Sequence, residues 1–357
     1  MVYSDDEKAI VWLCARSALD ERARARVLRA AGRPSALFSD SEKIRAAVIK
    51  EGGERVYIND CFTRKREAED FLSALDRKGY FAVTPLSDDY PASLSAIYDP
   101  PLVLYGAGNR ELLKKRKFCI VGSRVTPPWA EKQARLFAEE IARHFAVVTG
   151  LAEGGDAAAL SGAIGSGNLI CVLPNGLDEC YPASHAALKE RVKESGLLLS
   201  EYPPAEKARK YSFYARNRIL AGLSEGVLVV AAGARSGTSI TANYALEYGR
   251  DVFAFPHNLG VKQGEGCNEL LKKGAYVATE PCDVLSRYGI EEEETVRVEL
   301  SEEEQKLLAV LKETGEAHVT ELAGRAGVPV YEAAATLSSL EMKNLAVKAG
   351  GNRYSAV

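Results

Sequence analysis

Residues 118–150 read FCIVGSRVTPPWAEKQARLFAEEIARHFAVVTG, and the order of the parts decides the fold. FCIVG (118–122) and FAVVTG (145–150) are short, uninterrupted and rich in β-branched residues, as strands buried on both faces should be. Between them lies a glycine turn and then PWAEKQARLFAEEIARHF, whose apolar residues recur at helical spacing. Strand, turn, helix, strand is a βαβ unit. Working outward, the same texture returns in LICVLP (169–174), LLLSE (197–201), VLVVA (227–231) and VFAF (252–255), with helical stretches between. The reading is an α/β fold built on a doubly wound, mostly parallel sheet.

The flanks differ. Residues 1–80 read as a helical domain: KAIVWLCARSA and ARARVLRAA carry helical periodicity, Gly32-Arg33-Pro34 interrupts them, and a further helix is expected over 35–53. The α/β domain is expected over 81–286. Its lead-in, TPLSDDYPASLSAIYDPPLVLYGAGN, is an extended connector because Pro85, Pro91, Pro100 and Pro101 forbid a long helix. An acidic linker follows over 287–299. Residues 300–357 order as helix, helix-turn-helix and two short strands, which is the order of a winged helix. That last segment holds eight acidic and six basic residues. This balance points to a protein contact or weak DNA binding rather than to a strong duplex binder.

Composition is that of a globular protein, 46% hydrophobic and 27% charged. The start, MVYSDDEKAI, carries acids where a secretion signal needs bases, and no apolar run reaches membrane-spanning length. Seven dispersed cysteines without a CxxC pair suit reduced thiols, so a cytoplasmic location is expected. Four scattered histidines make no metal cluster, and no metal or cofactor is expected. The net charge of −3 argues against a uniformly basic nucleic-acid binder, so any such function needs a local basic patch.

That patch is present. Residues 207–218 hold five cations (Lys207, Arg209, Lys210, Arg216, Arg218), no acid, and the interleaved aromatics Tyr211, Phe213 and Tyr214. Cations hold phosphates and aromatic faces stack bases. Two alternatives stand beside this: Phe213 as a core residue, and Arg216 or Arg218 paired with acids in the fold. Gly122-Ser123-Arg124 ends the first strand of the βαβ unit, where backbone N–H groups, a hydroxyl and a guanidinium can meet a phosphate. Its alternative is a tight turn with a solvated arginine. Arg235-Ser236-Gly237-Thr238 opens a helix after the fifth apolar run and makes a further anion cradle. The loop after FAVVTG is glycine-rich, and Asp156 is expected to cap its helix, as Asn268 could cap a later one. No GxSxG elbow, P-loop or GxGxxG turn is found, so no catalytic residue is expected. Asp178-Glu179 is a poor acid pair, and His185 reads as a surface loop residue. The arginines of the first helices (16, 22, 24, 26, 29) form a modest basic face.

Taken together, IVGSR, VLPNGLDECYP, LLLSEYPP, RNRILAGLS, VLVVAAGARSGTSITANYALEYGRDVFAFP and the GCNELLKKGA segment resemble the bacterial DNA-processing protein A (DprA/Smf) family over residues 117–285. The resemblance implies a Rossmann-like core with a helical N-terminal domain (of the SAM or helix-hairpin-helix kind) and a C-terminal winged-helix domain. It implies a non-enzymatic protein that binds single-stranded DNA, protects it and loads RecA in natural transformation and homologous recombination. It implies a homodimer or higher oligomer, with Leu270 and Leu271 in the self-association segment. Gly122, Ser123 and Arg124 match the phosphate-binding turn, and Lys210 and Phe213 the DNA-contacting lysine and stacking aromatic. Arg216, Asn217 and Arg218 match the RNR motif, and Arg235, Ser236 and Gly237 the RSG turn. The chain departs from the family pattern at Glu153, Gly155, Leu160, Pro174, Ala231 and His257, with Glu153 placing negative charge at the groove edge. The rival class is a nucleotide-binding or nucleoside-monophosphate-processing enzyme, whose catalytic acid would stand where this chain has Ala231.

Overall fold

The computed structural model describes the chain except residues 1, 16–18, 58, 59, 235, 292–299, 344 and 357. It divides into two compact units, residues 1–290 and 291–357. Most of the expected acidic linker therefore lies outside the described residues.

The first unit is built on a nine-stranded sheet. The strands are β1 (Tyr80–Val83), β2 (Leu104–Gly108), β3 (Lys117–Gly122), β4 (Ala146–Thr149), β5 (Leu169–Leu173), β6 (Leu197–Ser200), β7 (Gly226–Ala231), β8 (Asp251–Ala254) and β9 (Tyr276–Val277). Their spatial order is β1-β2-β6-β5-β4-β3-β7-β8-β9. From β6 to β9 all neighbours are parallel, while β1 and β2 add to one edge antiparallel. This is the doubly wound sheet expected from residues 118–150. The lead-in is not merely an extended connector, because β2 lies within it. Tyr80 to Val83 face Ala107 to Leu104, and that pairing partner is remote in sequence.

Helices α1 (Asp5–Ala15), α2 (Glu21–Ala31), α3 (Glu42–Lys50) and α4 (Cys61–Arg77) precede the sheet. The helix expected over 35–53 is instead a 3-10 turn, Pro34–Phe38, followed by α3. Between them Asp40 binds the guanidinium of Arg64, a fully buried side chain that also donates to the carbonyls of Leu37 and Ser39. Helices α5 (Ala92–Ser95), α6 (Pro128–Ile141), α7 (Gly155–Ala163), α8 (Ala186–Ser195), α9 (Lys210–Leu223), α10 (Gly237–Glu247), α11 (Glu265–Lys272) and α12 (Pro281–Leu285) follow. Successive strand residues point to opposite faces. Phe118 and Ile120 thus pack with α6, α7, α8 and α12, and with Ile10, Val11, Leu72 and Leu75 of α1 and α4. Cys119 and Val121 pack against α5, α9, α10 and α11 on the other face. Both faces being covered is why the strands read as continuous apolar runs. No helix among the described residues is long and apolar enough to cross a membrane.

The second unit contains α13 (Glu302–Thr314), β10 (Ala317–His318), α14 (Val319–Ala326), α15 (Val330–Met342), β11 (Ala346–Ala349) and β12 (Arg353–Ala356). Its sheet order is β10-β12-β11, all antiparallel, so a short strand before α14 joins the two expected wing strands. Gly327 takes a left-handed φ of 68° to turn α14 into α15, and Leu307, Leu311, Leu322, Leu337 and Tyr354 form the core. Glu304 ties this winged helix together. It accepts hydrogen bonds from Ser301 N–H, Ser339 Oγ and Lys343 Nζ at 2.7–2.8 Å. The hydrogen bond from Lys343, then that from Ser339, lowers its carboxyl from 4.5 to about 2. A depressed folded value means the contribution is present above pH 4.5 and lost as pH falls toward 2. Glu304→Gln is expected to lower the melting temperature of the α13 amides, followed by NMR, at pH 6. The difference should shrink as pH approaches 2; a pH-independent difference would remove the carboxylate from the explanation.

Candidate functional site

In an open doubly wound sheet the ligand crevice lies outside the carboxyl ends of the strands, where the winding reverses. Here the chain runs β3-β4-β5-β6 in one direction and returns to β7 on the other side of β3. The reversal falls between β3 and β7, which are followed by the Gly122-Ser123-Arg124 turn and by the stretch that leads to Ser236 at the start of the next helix. A cleft of about 590 Å³ opens there.

The first wall is the turn after β3. Ser123 N–H donates to the carbonyl of Ala231, and its own carbonyl accepts from Thr126 Oγ1 and Gly155 N–H. This fixes the turn to β7 and to the start of α7. The approach is so close that a Cβ on Gly155 would stand 2.4 Å from Gly122 Cα. The departure at Gly155 is thus accommodated by close packing of α7 on the turn. Arg124 is left exposed at the rim.

The second and third walls are helix beginnings. Ser236 caps α10, its Oγ accepting from Thr238 N–H at 3.1 Å. Asn217, on α9, donates to the carbonyl of Gly237 at 3.1 Å and locks the two helices together. Arg209 is the N-cap of α9, and Lys210 is its first residue. Cations at a helix N-terminus oppose the macrodipole and weaken the isolated helix. Their presence beside the N-termini of α7 and α10 concentrates positive potential where an anion would sit. Arg235, the remaining cation of the expected set, lies outside the described residues.

Aromatic rings close the cleft. Phe213 is half-buried and meets Tyr181 edge to face, with ring centres 5.1 Å apart. The Arg124 guanidinium stands 5.5 Å from the Phe213 ring centre and 5.7 Å from that of Tyr181. Phe213 is therefore neither core nor free: it is held at the surface by one ring and one cation. Tyr181 was not among the expected residues, although it is 43% exposed. Its only sequence signal is an aromatic beside a proline after a strand.

Ser123, Arg124, Lys210, Phe213, Arg216, Asn217, Ser236, Gly237 and Thr238 line one cleft together with Gly122. Arg216 is its floor rather than its rim, largely buried, with Nη1 donating to the Val172 carbonyl and Nε to Asn217. Asp156 does not cap α7, whose N-cap is Gly154. Its buried carboxylate accepts from Gly122 N–H and stands near Arg216. Burial raises its pKa, with Arg216 acting in the opposite direction. Gly150 leaves room for the pair, since a Cβ there would be 2.2 Å from Arg216 Nη1 and 2.3 Å from Asp156 Oδ2.

Three expectations are corrected. Arg218 is not in the cleft. It is 3% exposed and its guanidinium meets Glu201, Glu21 and Asp99 at 2.6, 3.1 and 3.2 Å. A helix turns about 100° per residue, so Arg216 and Arg218, two residues apart, point to nearly opposite faces. Leu270 is buried against the sheet and only Leu271 is partly open, so the pair does not form a surface patch. Asn268 does not cap a helix; it exchanges two hydrogen bonds with the backbone of His257. Outside the cleft, Asp178 binds Lys78 and Tyr80, and His185 binds the carbonyl of Leu151. Glu280, Cys282 and Asp283 come within metal-ligand range of one another, but Asp283 Oδ2 is occupied by Thr279 and Glu280 at the start of α12.

Residues 81–289 match the family model of DNA recombination-mediator protein A, and residues 291–352 match that of the DprA winged helix domain. The DNA processing protein DprA of Streptococcus pneumoniae is 41% identical over 204 residues, covering 57% of this chain and 72% of that one. The X-ray structure of DNA processing protein A from the same species superposes with a TM-score of 0.63 at 32% identity. The match covers 80% of this chain and 98% of that one. The DNA processing protein A of Helicobacter pylori, described for its single-stranded DNA binding mode, superposes with a TM-score of 0.54 at 31% identity, over 58% and 95% of the chains.

Proposed function

The chain belongs to the DNA recombination-mediator protein A family, and from that membership we propose that it binds single-stranded DNA in the β3–β7 cleft, shields it, and loads RecA onto it in natural transformation and homologous recombination. The observation that carries this reading is the gathering of Arg124, Lys210 and two helix N-termini around the Phe213–Tyr181 ring pair. Phosphates meet Arg124, Lys210 and the start of α10, while a base stacks on Phe213. Arg216 and Asn217 act from below by fixing the floor and the α9–α10 contact. Contacts to phosphates and ring faces are base-tolerant, so little sequence preference is expected. A homodimer or higher assembly would align several clefts along one strand, with Leu271 the open member of the expected pair.

The test is fluorescence anisotropy of a labelled oligo-dT strand across a salt series, beside a duplex of equal length. Tight, salt-sensitive binding that favours the single strand is expected. Arg124→Ala should lower affinity about tenfold for every sequence and reduce the salt slope by about 0.7, the value for one lost phosphate contact on a single strand. No binding to either substrate at low salt would overturn the reading. RecA loading is then read from RecA's ATPase on a strand already covered by a single-strand-binding protein: stimulation supports it, and inhibition speaks against it.

A further inference from the structure

A second cavity, of about 620 Å³, lies on the other side of the start of α9, between α2 and the β6–α9 connection. Arg209 lines both this cavity and the β3–β7 cleft, so the two are adjoining stretches of one surface path. Its walls carry Arg22 and Arg24 from α2, and Tyr202 and Tyr211 from the α/β part. Four carboxylates also line it, and each is committed. Asp20 caps α2 through Ala23 N–H, Glu206 pairs with Arg209, and Glu21 and Glu201 both meet Arg218. Among the described residues, Arg22 and Arg24 are the cations of this lining that have no carboxylate within ion-pair distance. Arg22 is exposed and makes no ion pair among the described residues, and Arg24 Nε is buried without a hydrogen-bond partner. Arg22 also stands in the first turn of α2, where a cation opposes the macrodipole. Tyr211 is 54% exposed beside these cations.

We propose that this cavity receives the nucleotides that follow those in the β3–β7 cleft, with the exposed Arg22 holding a phosphate and Tyr211 offering a stacking face. The N-terminal helices are then part of the DNA footprint. The inference rests on the single-strand reading of the cleft. It requires that a strand too short to leave the cleft ignores Arg22, while a longer one does not.

The experiment compares the native chain with Arg22→Ala and Arg22→Glu, using oligo-dT strands of about 6 and about 20 nucleotides, which bracket common single-strand site sizes. Expected is unchanged affinity for the short strand and a loss on the long strand of about fivefold for alanine, more for glutamate. The salt slope should fall by about 0.7 on the long strand only. Thermal melting of Arg22→Ala and Arg22→Glu should be at or slightly above that of the native chain, because Arg22 is exposed and its charge opposes the α2 macrodipole, so a loss of binding is not a loss of fold. Equal losses on both lengths, or no loss on either, would overturn the inference and leave the cleft reading standing. Failure of the native chain to bind either strand would overturn both.

Discussion

Arg218→Ala is expected to destabilise the first unit by about 3–5 kcal/mol, the cost of breaking a buried ion pair by removing one partner. The guanidinium is enclosed by Glu201, Asp99 and Glu21, from three separate segments of the chain. Glu201 is itself buried, and burial drives its carboxyl well above the ordinary range, with Arg218 opposing the shift. Without the guanidinium, Glu201 has no cation and must take up a proton, and α2 loses its tie through Glu21. Urea unfolding followed by circular dichroism should show a lower midpoint at unchanged m. Pairing the change with Glu201→Leu should recover much of the loss, because no charge is then stranded. A change below about 1 kcal/mol would mean that the network is solvated. The same variant separates structure from binding. Where it stays folded, its salt slope on single-stranded DNA should equal that of the native chain. A slope reduced by about 0.7 would return Arg218 to the interface.

Phe213→Ala should cost about 1–3 kcal/mol of single-strand affinity, roughly 5- to 150-fold, the range for removing one stacking ring. Two losses combine in it. The base loses its platform, and Arg124 loses one of the two rings that hold its guanidinium at the rim. No charge is removed, so the salt slope should not change, in contrast with Arg124→Ala. Phe213→Tyr should keep most of the affinity. Anisotropy on oligo-dT across a salt series reads the affinity and the slope of all three variants. Affinity unchanged in Phe213→Ala would leave Tyr181 as the stacking ring and move the base to the other side of Arg124.

The folding elements of the α/β part were legible because strands covered on both faces leave uninterrupted apolar runs, as at 118–122 and 227–231. Glycine turns at the strand ends pointed to the carboxyl edge, and the basic, aromatic 207–218 segment to an anion with rings. β1 and β2 were hidden. Four or five residues such as YFAV carry too little periodicity, and only pairing with a remote partner makes them strands.

The sequence by itself determined the βαβ order and the crevice edge, because those follow from local pattern. Only the tertiary structure decided which members of the basic segment face the cleft. Arg216 and Arg218 are two residues apart on one helix, and its roughly 100° turn per residue sends one to the cleft floor and the other into a carboxylate cage. It also brought Tyr181 to Phe213 and Arg22 to Tyr211, pairs separated by tens or hundreds of residues. Contacts of that kind depend on where the sheet places its loops, and no local stretch of sequence carries that information.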